Sequence, residues 1–368
     1  MARERRSEFD LIRAVSTVII VLFHYSYSFV QYGVGGDHVY FMMHANGTWG
    51  AIFVALFFML SGASLYYNWR DRLTSVRGRG GVLDFYKRRW LAIFPMFYIG
   101  WFIFYIMYVI SFDGLFNWGG EYRKLLLTLL GLDGYFLYRG INYYTIGEWF
   151  LGAIIMLYIL YPLLQYVMNK MPLIGTAIVF LLFGINVARH MIPFLASYNA
   201  RIVISDNINI ITCLLPFWVG MLLVRVDKNK LIKPYIVIPA ILVTLVLTVI
   251  PLPISTLIAG PILSTCFFIM LSALSTVLDK VDNKGFKKIY GGSVGFFSKY
   301  SYPIFLVHHV LIQKAMSCFE GKSFTYPASV GFFLLLLLII SLCAVLLSKI
   351  SGKVVAIIGG FFSEKQPA

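Results

Sequence analysis

The run Phe9 to Gln31 is apolar enough to cross a bilayer, yet it carries Arg13 and His24 in its interior and Asp10 near its start. Guanidinium groups hold phosphates through bidentate, charge-assisted hydrogen bonds. Imidazole is the side chain best poised to move a proton near neutral pH. Arg13 and His24 lie eleven residues apart. At about 100° per residue that makes three turns plus about 20°, so a helix projects both from one face, roughly 16 Å apart along its axis. Arg13 would sit near the inner interface and His24 beyond mid-membrane. An ionisable group at bilayer depth is costly, which makes it a functional candidate. Each residue also has a plainer reading. Arg13 can snorkel to the interface, paired with Asp10 one turn earlier, and His24 can hydrogen-bond across helices. The common face favours chemistry for both.

Such a pair needs further helices to enclose it, and the chain supplies them. Of its 368 residues, 60% are hydrophobic and 13% charged, with mean hydropathy +0.80. A soluble domain carries about 25% charged residues, so lipid rather than a packed core must absorb this apolar surface. Ten stretches reach the roughly 20 residues a spanning helix needs. They are residues 9–31, 49–68, 91–111, 148–168, 173–191, 207–225, 234–252, 256–278, 296–317 and 328–349. An eleventh, 125–137, is short and interrupted by Gly131, Asp133 and Gly134, and reads as a partial, interfacial or re-entrant element.

The net charge of +15 lies in short basic runs between the apolar stretches. That distribution marks membrane anchors and argues against nucleic acid. With the N-terminus inside, twenty-three Lys and Arg residues fall on cytoplasmic segments and seven on external ones, alternating correctly at every crossing. The expected fold is therefore all-α: a polytopic integral membrane helix bundle of about ten transmembrane helices, with both termini cytoplasmic. Residues 1–355 are expected to form the membrane domain and 356–368 a short cytoplasmic tail, with no cleavable signal peptide. Cys213, Cys266, Cys318 and Cys343 lack paired spacing and read as apolar packing residues, and no metal site is expected.

Five landmarks along the chain carry a family resemblance. The block FDLIRAVSTVIIVLFHY, with Arg13 and His24, resembles the first helix of the acyltransferase-3 family, membrane acyltransferases of cell-surface glycans. Phe57 to Gly62 (FFMLSG) resembles that family's second-helix FFxLSG element, and Phe85 to Pro95 (FYKRRWLAIFP) its basic approach to the third helix. Tyr144 to Phe150 (YTIGEWF) resembles its W-T/S-L-x-x-E element, and Ser301 to His309 (SYPIFLVHH) its SYPIYLxH element. One departure is Ala92, where a second arginine often stands three residues before the proline. Residues 120–137 match nothing in the pattern.

The resemblance implies a multi-pass protein of a bacterial cell membrane that transfers an acyl group, acetyl foremost, from cytoplasmic acyl-CoA to a glycan hydroxyl. On that reading Arg13, Arg88 and Arg89 hold the nucleotide end of the donor, with Asp10 beside Arg13. His24 is the general base or transient acyl carrier, and Glu148 orients it or accepts a proton. Ser61 and His308 are further candidates for substrate contact. Plainer roles stand beside these. Thr145 and Glu148 form a capping box, Arg88 and Arg89 serve as positive-inside anchors, Ser61 with Gly62 permits close helix packing, and His308 is a hydrogen-bonded structural histidine. His38, His44 and His190 have no assigned role. A glycan or solute exporter is the competing class, but inverted repeats of the kind transporters carry are not visible.

Overall fold

A computed structural model of the protein describes residues 5–111, 125–132, 135–136, 146, 148–191 and 208–363. Helices dominate it: α1 (Ser7–Gln31), α2 (Trp49–Trp69), α3 (Val82–Ser111), α4 (Leu125–Leu129), α5 (Glu148–Lys170), α6 (Pro172–Met191) and α7 (Ile210–Arg225). The C-terminal half continues with α8 (Lys228–Leu231), α9 (Pro234–Val249), α10 (Thr256–Asp279), α11 (Lys284–Lys299), α12 (Ser301–Ser317) and α13 (Tyr326–Ser363). Two short strand pairs complete the described residues. β1 (Gly35–Gly36) runs parallel to β4 (Ser323–Phe324), and β2 (Met43–His44) antiparallel to β3 (Gly47–Thr48).

Among the described residues seven helical segments are long and apolar enough to cross a membrane: α1, α2, Val82–Met107, Trp149–Lys170, α6, α10 and Tyr326–Ile357. The apolar helices α7 and α9 are shorter. Helix α9 ends at Val249 rather than at 252 because Pro251 and Pro253 follow, and proline both lacks an N–H and turns its predecessor away from helix. The stretch expected at 296–317 is split. Helix α11 ends at Lys299, Tyr300 leaves the helical path at φ −98°, ψ 12°, and α12 begins at Ser301. Four lysines interleaved with glycines and aromatics make α11 amphipathic, so residues 296–299 belong to it and not to a span. Helix α4 covers five residues and stops where Gly131 adopts φ +68°, a conformation that glycine reaches without strain.

The chain divides into two compact units. The first comprises Met1–Tyr27, Tyr40–Leu73 and Met156–Lys299. Within it α2 and α7 cross backbone to backbone. A Cβ on Gly62 would lie 2.0 Å from the Phe217 carbonyl oxygen, and one on Gly220 would lie 1.9 Å from that of Met59. Only glycine fits either position. Helix α6 packs against α7, where buried Trp218 donates its indole N–H to Thr176 Oγ1 at 3.0 Å, and α10 packs against α9 and α2.

The second unit comprises Ser28–Val39, Thr74–Ile155 and Tyr300–Ala368. Here α12 and α13 pack on each other and on α3. Tyr302 of the SYPIF landmark donates its hydroxyl to the Ile93 carbonyl at 3.1 Å, so two of the five landmarks meet in space.

Candidate functional site

The first turns of α1 are fastened by charge. Glu8 is only 1% exposed and pairs with Arg6 and, at 3.0 Å, with Lys228 of α8. Ser7 donates to Asp279 Oδ2 at 2.6 Å and accepts from Ser275 at 3.1 Å, both on α10. Carboxylates at a helix N-terminus also suit the helix dipole. The end of α1 that carries Arg13 is thereby held to α8 and α10.

Asp10 accepts from Arg5 Nε at 2.6 Å and from Ser298 Oγ at 2.6 Å, and its Oδ1 lies 3.7 Å from Arg13 Nη1. Arg13 donates from the same Nη1 to Ser298 Oγ at 3.2 Å. The Arg13 side chain as a whole is 30% exposed, and its guanidinium is engaged by Ser298 through Nη1. Helix α1 is continuous through Arg13 and His24, which keeps the helical offset between them at about 20°. Thr17, Ile20 and Val21 lie between the two on or beside that face, and all are buried. Thr17 turns its hydroxyl back to the Arg13 carbonyl at 2.7 Å. His24 is half-buried, its ring edge-on to Phe23 at 5.2 Å, and Phe23 in turn fills the space left by Gly50 of α2.

The remaining predicted residues divide between the units. Ser61, half-buried on α2 in the first unit, directly precedes the Gly62 crossing, the setting expected of a packing residue. In the second unit Arg88 is exposed and bonded to Asp84 Oδ1 at 3.0 Å, one turn earlier on α3. Arg89 stands over the Phe85 ring at 6.0 Å. His308 is 1% exposed, with Nδ1 2.8 Å from the Phe305 carbonyl one turn back. Glu148 opens α5, while its side chain and Thr145 lie outside the described residues.

Structure therefore joins Asp10 to Arg13 and adds Ser298, Arg5 and, nearby, Glu8 and Lys228, none of which sequence reasoning singled out. An apolar cleft of about 560 Å³ lies elsewhere in the first unit, between α6, α7 and α10, lined by Phe180, Phe183, Val187, Leu215, Ile262 and Cys266. It contains none of the predicted residues. Among the described residues no group of three or more His, Cys, Asp and Glu side chains is placed to hold a metal ion. In chemical terms, α1 carries a guanidinium held at one nitrogen by Ser298 and an imidazole three turns further along the same helix.

Comparison with known proteins bears on that chemistry. The profile of the acyltransferase domain family matches residues 6–348, which run from the residue before α1 into α13. No curated protein and no solved structure matches the chain. A match over nearly the whole length, on a chain with seven apolar helices long enough to span, makes this a multi-pass membrane acyltransferase belonging to the acyltransferase-3 family.

Proposed function

We propose that the protein transfers an acyl group, acetyl in the leading case, from cytoplasmic acyl-CoA to a hydroxyl of a cell-surface or secreted polysaccharide, in a bundle of about ten crossings with both termini inside. The observation that carries this reading is the arrangement on α1: an arginine held by Ser298 near one end and a half-buried histidine three turns along a continuous helix. Arg13 binds a phosphate of CoA through the edge of its guanidinium that Ser298 does not engage. The thioester end reaches toward His24. The imidazole takes the proton of the sugar hydroxyl as its oxygen attacks the thioester carbonyl, the carbon–sulfur bond breaks, and the departing thiolate recovers a proton from the imidazolium. The products are the O-acyl glycan and free CoA.

Arg88 bonds Asp84 through Nε and keeps further donors, and Ser61 beside Gly62 suits a packing role. Labelled acetyl-CoA and a polysaccharide acceptor supplied together to the purified protein in detergent test the assignment through acceptor-dependent release of CoA. His24→Ala is expected to reduce turnover by roughly 10²–10⁴-fold, the range for loss of a general base. Arg13→Ala is expected to act mainly on donor affinity. Full CoA release by His24→Ala would remove the catalytic assignment.

A further inference from the structure

Helix α11 is amphipathic and largely exposed, and Ser298 is its one buried residue. An amphipathic helix ordinarily buries an apolar side chain most deeply. Burying a hydroxyl costs free energy unless both its donor and acceptor capacity are used. Ser298 Oγ uses both: it donates to Asp10 Oδ1 at 2.6 Å and accepts from Arg13 Nη1 at 3.2 Å. Asp10 Oδ1 itself is 3.7 Å from that nitrogen, too far for a direct hydrogen bond, so the hydroxyl carries the link between carboxylate and guanidinium. The other Asp10 oxygen takes Arg5 Nε at 2.6 Å, which fixes the carboxylate from its far side. Among the described residues Arg13 donates to no partner besides Ser298, and a guanidinium has five N–H donors in a rigid fork.

We infer that Ser298 is a positioning residue of the donor site: it holds one edge of the Arg13 guanidinium against Asp10, so that the remaining donors face an incoming phosphate. The inference rests on the reading of Arg13 as the donor-binding arginine. It assigns Ser298 a part in binding and none in the transfer step, because its hydroxyl is consumed by Asp10 and Arg13.

The test measures the Kd for acetyl-CoA on the full chain in lipid nanodiscs, with the thermal unfolding midpoint recorded for each variant. Ser298→Ala is expected to raise the Kd about tenfold, the scale of one hydrogen bond to a charged group, with little change in the midpoint. Ser298→Thr keeps the hydroxyl and is expected to stay within about twofold of the natural protein. In the double variant, Ser298→Ala on top of Arg13→Ala is expected to add nothing, because the serine acts through the arginine. If Ser298→Ala raises the Kd by the same factor with and without Arg13, the inference is overturned. It is equally overturned if Arg13→Ala weakens binding and Ser298→Ala alone does not, an outcome that leaves the donor reading intact. Should Arg13→Ala itself bind acetyl-CoA as tightly as the natural protein, the donor reading falls, and the role of Ser298 falls with it.

Discussion

His44 ends β2 in a tight hairpin, outside the membrane-spanning helices, and burial pushes its imidazole below the ordinary histidine range, opposed in part by the carbonyls of Leu247 and Thr48. Its Nδ1 accepts from the Asn46 amide at 3.3 Å. Asn46, 5% exposed, bonds in turn to the carbonyls of Leu247 and Ile250, each at 2.7 Å, and to the Leu252 amide at 2.8 Å. An unfolded histidine titrates at about 6.5. Below that pH the unfolded segment binds a proton that the folded hairpin resists. The contribution of His44 is therefore whole above about 6.5 and is lost as pH falls through the folded value. Amide-exchange protection at Ala45 and Asn46 is expected to decline on acidification in the natural protein and to lose that dependence in His44→Gln. Protection independent of pH in the natural protein would refute the assignment. The site residues differ in how far sequence reveals them. Arg13 and His24 are visible in sequence because eleven steps on one helix fix their relation. Ser298 is not, because 285 residues separate it from Arg13 and no periodicity spans that gap.

At the scale of elements the closest packing is the α2–α7 crossing, and it makes a sharp prediction. A methyl group at Gly62 or Gly220 meets a backbone oxygen at about 2 Å, and backbone cannot rotate away as a side chain can. Gly62→Ala and Gly220→Ala are each expected to cost about 1–3 kcal/mol or more by overpacking, read as a lowered unfolding midpoint in detergent. Gly184, whose added Cβ would meet nothing within 4 Å, serves as the control, and its alanine variant should unfold like the natural protein. A tolerant Gly62 would mean that α2 and α7 do not touch there. The FFMLSG motif thus declares a glycine without declaring its partner, since Phe217 is contributed by a helix far along the chain. Apolar runs were legible as helices because a spanning segment must satisfy its backbone internally. Their ends were less so. The break at Tyr300 between α11 and α12 is invisible to an apolar window that counts Phe296 and Phe297 but not the lysines before them.

Over the whole molecule, contacts between connecting segments constrain which segments share a side of the membrane. In the first unit Glu8 meets Lys228, Ser7 meets Asp279, and Gln165 donates to the Arg70 carbonyl at 2.8 Å. All of these segments are ones that positive charge assigns to the cytoplasm. On the opposite assignment, Asn46 meets Ile250 in the first unit, and Gly35 pairs with Ser323 in the second. If the segment around α4 crossed the membrane, Asn46 and Ile250 would lie on opposite sides of a hydrocarbon layer of about 30 Å. They are joined at 2.7 Å, and α4 is five residues long, which supports the even number of crossings in the proposed topology. The excess of Lys and Arg on one side favours the cytoplasm for that side in the proposed topology. Single cysteines introduced into a variant lacking the four native ones test both points. An impermeant maleimide is expected to label Ala45→Cys and Lys322→Cys in intact cells, and Ser75→Cys and Asn283→Cys only after lysis. Labelling of all four in the reverse sense would invert the orientation and put Arg13 on the face away from cytoplasmic CoA. Disagreement between Ala45→Cys and Lys322→Cys would instead break the parity of the proposed topology.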